Sequence, residues 1–142
     1  LSFENYETEI FKFSNLQIGI AKDNEICFQI PKKSQDYGKK IAAYYFWIFP
    51  NLMLNFYPWG LSVNIVNPIS VDKTQIIYQG FVGNENLLGK GAGGNLDKVE
   101  LEDQDIVEAT QRGVSSTSYE RGRYSPSKEM GVHYFHRLLT GL

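Results

Sequence analysis

From Ile41 to Val71 the chain carries no charged residue. A tract of that length without charge must be buried, either in lipid or in protein. Pro50, Asn51, Asn55, Pro58, Gly60, Asn64, Asn67 and Pro68 interrupt it, and a bilayer would leave the polar groups at such breaks without partners. The tract is therefore read as protein core, in apolar, aromatic-rich strands punctuated by Pro and Gly. Ala43–Phe49, Leu52–Tyr57, Leu61–Val66 and, just beyond, Thr74–Val82 form the runs of an antiparallel meander. Ala43–Phe49 is apolar on both faces. It is expected to have core on one side and a helix or a cavity on the other.

Upstream, Phe3 to Phe13 alternates loosely, and Leu16–Ile20 with Ile26–Ile30 reads as a hairpin turning at Asp23-Asn24. Pro31–Lys40 is a polar loop. Downstream, Asn84–Asn95 is a glycine-rich connection, after which the pattern turns helical over Asp97–Gly113 and Ser127–Leu139. Asp97 and Glu100 have the spacing of a capping box, and Gly113 is placed to stop the helix. Val114–Pro126 reads as an ordered loop or lid. The expectation is one α+β domain over residues 1–142, with strands in 1–83, a linker in 84–96 and helices in 97–142.

A net charge of −2 gives no broad basic field, which argues against nucleic acid or an anionic membrane as partner. The single cysteine, Cys27, excludes an internal disulfide and a cysteine-built metal cluster within the chain, and its apolar strand setting reads as an inert core thiol. The opening Leu1-Ser2-Phe3-Glu4 has neither the basic head nor the cleavage pattern of a signal peptide. A cytoplasmic location is expected, and the absence of an initiator Met points to a piece of a longer protein.

Several motifs invite chemistry. Gly89-x-Gly91-x-x-Gly94 matches the dinucleotide fingerprint in form, but no parallel strand follows the next helix, so a flexible linker is the favoured reading. Glu129, His133 and His136 share a helix face, opposite the apolar face of Val132, Phe135, Leu138 and Leu139, and are read as a solvated surface. Ser115, Ser116 and Ser118 lack a nucleophile-elbow pattern. The aromatics between Tyr44 and Trp59 suit a cavity lining or a filled core equally, and Asn51 and Asn55 among them tilt the reading toward a cavity because buried amides need partners. Asp103 projects onto the apolar face of its helix with Val99, Ile106, Val107 and Thr110, where a carboxylate needs a partner or a metal. A first-turn acid stabilised by the helix dipole is an equal alternative.

The run Phe49-Pro50-Asn51, then Asn67-Pro68-Ile69-x-x-Asp72-x-Thr74, then Glu102-Asp103-x-x-Ile106-x-Glu108-x-x-Gln111-Arg112-Gly113-Val114-x-Ser116, and finally Glu129-x-Gly131-Val132-x-x-Phe135-His136 resembles the C-terminal part of the catalytic domain of Rieske non-haem iron oxygenase α subunits. The likeness runs from Ala43 to Leu139 and leans toward the choline and carnitine monooxygenase-like branch through Gln111-Arg112-Gly113.

That resemblance implies a helix-grip, START-like fold, in which a curved antiparallel sheet wraps a long C-terminal helix around a substrate cavity. It implies a mononuclear Fe(II) held by two histidines and a carboxylate, the latter matched by Asp103, with Glu102 the fallback one residue earlier. Tyr45, Asn51 and Asn55 are the candidate substrate-binding residues, and a cationic substrate would use aromatic faces. The family's histidine pair and the Cys and His ligands of a Rieske [2Fe-2S] cluster have no counterpart here, so this chain alone is expected to be inactive. In the longer protein the resemblance implies O₂-dependent hydroxylation or dealkylation of a small organic substrate, electrons from a reductase or ferredoxin, and a trimeric assembly. The rival reading is a metal-free helix-grip carrier of hydrophobic ligands.

Overall fold

In the computed structural model, which describes residues 6–141, the chain up to Val82 forms one six-stranded antiparallel sheet whose spatial order equals its sequence order. The strands are β1 (Tyr6–Phe11), β2 (Ser14–Ile20), β3 (Ile41–Ile48), β4 (Leu52–Tyr57), β5 (Gly60–Ser70) and β6 (Lys73–Val82). Two helices follow, α1 (Leu96–Val114) and α2 (Met130–Thr140). The uncharged tract becomes β3 to β5, where β-branched and aromatic side chains suit a pleated surface with both faces covered. No helix among the described residues is long and apolar enough to cross a membrane.

The meander fixes two faces. On one, Leu16, Ile18 and Ile41 are buried, and Phe28, Ile30, Tyr44 and Phe46 pack around them. Each fully buried aliphatic side chain of this kind contributes about 1.5–3 kcal/mol. On the other, Ala43, Tyr57 and Trp59 are buried with Leu87, Ala92 and Leu96 against them, which pins the glycine-rich connection and the first residue of α1 to the sheet. The two-sided covering expected for Ala43–Phe49 follows from this arrangement.

Four local expectations are corrected. The β-hairpin lies between β1 and β2; the turn at Asp23-Asn24 exists, with Asn24 at φ 68°, but Ile26–Ile30 is not a strand. Both edges of β2 are already paired, with β1 and β3, so the returning segment lies over the sheet, bonded to it by Phe28 N–H to the Ile41 carbonyl at 2.8 Å. Cys27 is accordingly half-buried in an irregular segment. The helix N-cap is Asn95, with no side-chain cap bond, in place of the Asp97 capping box. At the other end, Gly113 lies within α1 and Ser115 closes it, its hydroxyl donating to the Gln111 carbonyl at 2.8 Å.

The fourth correction concerns the helix that was to bury its apolar stripe. Val99, Ile106 and Val107 are 48%, 64% and 63% exposed, and α1 makes only sparse contact with the strands. The helix that packs on the sheet is the shorter α2, which lies against β1.

Candidate functional site

A cavity of about 880 Å³ lies between the inner face of the sheet and α2. Its floor follows from register. Thr8, Gln17, Tyr45 and Asn55 stand opposite one another on four successive strands, and Asn15, Trp47 and Met53 form the next row on the same face. A pleated sheet turns alternate residues to one side, so the polar members of β1, β2 and β4 converge with the aromatics of β3. Pro50, Asn51, Val66, Pro68 and Thr74 extend the wall, and Gly131, Val132, Phe135 and Leu139 of α2 close it from above.

α2 is held over the cavity by a few contacts. The Phe135 ring meets Trp47 edge-on, with centroids 5.1 Å apart. The Tyr134 hydroxyl donates to the Lys12 carbonyl at the β1–β2 turn, at 2.9 Å. Gly131 lies so close to Asn15 that an added Cβ would sit 3.1 Å from its amide nitrogen. Gly131 thus stands where the helix backbone approaches the sheet closely, a position suited to glycine.

All three sequence candidates for substrate contact, Tyr45, Asn51 and Asn55, line this cavity and are half-buried. Asn51 donates to the Asn67 side chain at 3.1 Å. Burial pushes the Tyr45 hydroxyl well above the usual tyrosine range, and the neighbouring Tyr57 and Tyr6 push in the same direction. The rings of Tyr6, Tyr45 and Tyr57 succeed one another at 6.1 Å and 5.9 Å. The hydroxyl is therefore a neutral donor and acceptor at any physiological pH. Sequence reading missed Asn15 and Gln17, and it missed Val132 and Phe135 as cavity wall. The strand alternation of β2 carried the first two, but only the register with β3 places them beside Tyr45.

Asp103 is exposed, on a face of α1 that no described element covers. Tyr78 on β6 is raised above the ordinary tyrosine value, first by burial and then by the negative charges of Glu100 and Asp103. The buried carboxylate in the described chain is Asp36, in the loop read as merely polar. It accepts from the Tyr44 hydroxyl at 3.0 Å and pairs with Lys39 at 3.2 Å, on the face of the sheet away from the cavity.

His133 and His136 are exposed, as their opposition to the apolar face implied, and both are contacted by Tyr124 from the loop before α2. Among the described residues no three His, Cys, Asp or Glu side chains form a group that could hold a metal ion.

The catalytic-domain model of the ring-hydroxylating alpha subunit matches residues 28–140. The chain belongs to this family of Rieske-type oxygenases. Among curated relatives, the chloroplastic choline monooxygenase of Arabidopsis thaliana is 30% identical over 98% of this chain and 32% of its own length. The carnitine monooxygenase oxygenase subunit of Escherichia coli K12 is 29% identical over 88% of this chain and 35% of its own. The fold matches that of the quaternary ammonium Rieske monooxygenase CntA solved with an inhibitor, at TM-score 0.71 and 22% identity, covering 99% of this chain and 38% of the other. CntA in complex with its substrate γ-butyrobetaine matches at TM-score 0.64. The α+β helix-grip-like architecture is that of the family's catalytic domain, and the chain spans about a third of the length of these relatives.

Proposed function

We propose that this chain supplies the substrate-holding sheet and the carboxylate-bearing helix of a Rieske-type oxygenase that hydroxylates or oxidatively dealkylates a small quaternary ammonium compound. The observation that carries the reading is the cavity itself, walled by Tyr45, Trp47 and Phe135 and studded with the amides of Asn15, Gln17, Asn51 and Asn55. A methylated ammonium cannot donate a hydrogen bond, so it is recognised by aromatic faces, each contributing about 0.5–2 kcal/mol. Amide side chains orient the rest of the molecule without adding charge. α2 closes over the ligand and keeps water from it.

In the longer protein, Asp103 is the proposed carboxylate ligand of a mononuclear Fe(II), with its histidine partners and the Rieske centre on polypeptide outside this chain. O₂ and electrons from a reductase or ferredoxin complete the reaction class. Asp103 shares its helix face with the exposed Val99 and Ile106, and an uncovered apolar stripe around a carboxylate is what a helix presents when its covering element is elsewhere.

The test uses the longer protein. Asp103→Ala is expected to lose at least tenfold in iron content by metal analysis while circular dichroism is unchanged, and His133→Ala is expected to keep its iron. Iron retained by the Asp103 variant refutes the ligand assignment. Binding of hydrophobic, uncharged ligands in preference to choline or γ-butyrobetaine would favour the carrier reading instead.

A further inference from the structure

We infer that a second pocket, between Trp59 and the start of α1, binds a small monocarboxylate with a short apolar chain. This site is independent of the cavity under α2, with which it shares no lining residue.

The pocket has a volume of about 240 Å³. Its walls are Trp59, then Leu88, Gly93 and Gly94 of the glycine-rich connection, and Asn95 and Leu96 where α1 begins. Two sets of donors there lack acceptors. Trp59 is 3% exposed, and its indole N–H is buried with no acceptor among the described residues. A buried donor left unmet costs about 1–3 kcal/mol, and an oxygen bonded to it removes that penalty. The second set is the start of the helix. The first N–H groups of an α-helix have no partner within it, and the Asn95 side chain, at the cap position, does not bond to them. Such a terminus carries partial positive charge and favours an anion. A carboxylate has two oxygens with about four acceptor sites, enough to serve the indole and the helix amides together.

Charge and shape narrow the ligand further. Between Leu88 and Glu100 the sequence has Lys90 and Lys98 against Asp97 and Glu100, and Lys98 is also drawn to Glu102 at 3.6 Å. With no surplus positive charge, a dianion such as phosphate would be poorly neutralised, whereas a single carboxylate is matched by the donors alone. Leu88, Leu96 and the Trp59 ring supply apolar contact for a chain of a few carbons, and the volume lies below the range of about 300–1,000 Å³ that suits drug-sized ligands. Ala92 and Leu96 of the same segment pack against the Tyr57 and Trp59 cluster, so an occupant fastens the start of α1 to the sheet.

Titration of the isotope-labelled chain with butyrate, followed by proton–nitrogen correlation spectra, tests this. The chain has two tryptophans, Trp47 and Trp59, so Trp47→Phe identifies the indole signal of Trp59. That signal and the amide signals of Gly94 and Leu96 should move together and saturate with one dissociation constant, while butylammonium at the same concentration moves none of them. Trp59→Phe should weaken butyrate about tenfold, read on the amide signals. Trp59 is a core residue, so a second variant keeps the test secure: Leu88 is 49% exposed, and Leu88→Glu should weaken butyrate about threefold at low ionic strength without disturbing the core. Amide signals that move while the Trp59 indole signal stays fixed, equal response to butyrate and butylammonium, or no response to butyrate would each overturn the inference.

Discussion

Truncating Phe135 isolates what holds α2 over the cavity. Phe135 is half-buried, and its principal ring contact with the sheet is the edge-on packing against Trp47 at 5.1 Å. Removing a fully buried Phe costs about 3–5 kcal/mol, and an aromatic pair contributes about 0.5–1.5 kcal/mol beyond its area. Half-burial beside an open cavity reduces the sum, so Phe135→Ala should weaken the attachment of α2 by about 2 kcal/mol. The loss is local. The Leu16, Ile18 and Ile41 core lies on the other side of the sheet and does not include this ring. Sub-global opening of α2 should then become about 30-fold more frequent. Hydrogen exchange followed by mass spectrometry should show residues 131–140 exchanging about 30-fold faster, with β2 and β3 unchanged. Phe135→Leu, which keeps most of the volume, should show less than half the free-energy effect. Equal acceleration throughout the sheet would mean that α2 is part of the global folding unit. No acceleration would mean that Tyr134 and Gly131 hold the helix without the ring, and either result refutes the local-clasp account.

Two further outcomes follow from the fold. Gly93→Ala should destabilise the chain by about 2–4 kcal/mol in urea unfolding, because Gly93 sits at φ 69° and its new methyl would fall 2.7 Å from the Tyr57 ring; a change below about 0.5 kcal/mol would show that the glycine-rich connection moves freely off the sheet. Burial pushes the Tyr57 hydroxyl up to about 12 from an ordinary value of 10.0. A group raised on folding contributes stability that is complete below the unfolded value and lost as pH climbs through the folded one, so the chain should be indifferent near neutrality and weaken between pH 10 and about 12. Tyrosinate absorbance should rise late and together with unfolding, and a Tyr57→Phe variant should flatten that dependence; an unaltered alkaline profile in the variant would assign the transition to other tyrosines.

Much of the architecture was legible because two periodicities are local properties. The breaks at Pro50, Pro58 and Pro68 and the alternation between them mark β3, β4 and β5 within a few residues of their ends. The spacing of Val132, Phe135 and Leu139 marks the face that α2 turns to the cavity. The hairpin assigned to Ile26–Ile30 failed because an apolar run announces burial without saying whether the backbone partner is a strand edge or empty. Here β1 and β3 had already taken both edges of β2.

The composition and periodicity of the chain determined that it forms an uncharged meander followed by helices, since each residue's preference for pleat, helix or turn is set by its own side chain and near neighbours. The ordered motifs around Asp103, Gln111-Arg112-Gly113 and Phe135-His136 also carried the family. Only the tertiary structure decided which face met which. Cross-strand register brought Gln17 beside Tyr45 and Asn15 beside Trp47, the burial of Asp36 came from a contact with Tyr44 eight residues along the chain, and the exposure of Asp103 came from the absence, among described residues, of anything packed on its helix face. Periodicity states which side of a helix is apolar. Whether that side is covered depends on surfaces that are distant in sequence, and so it is settled by packing alone.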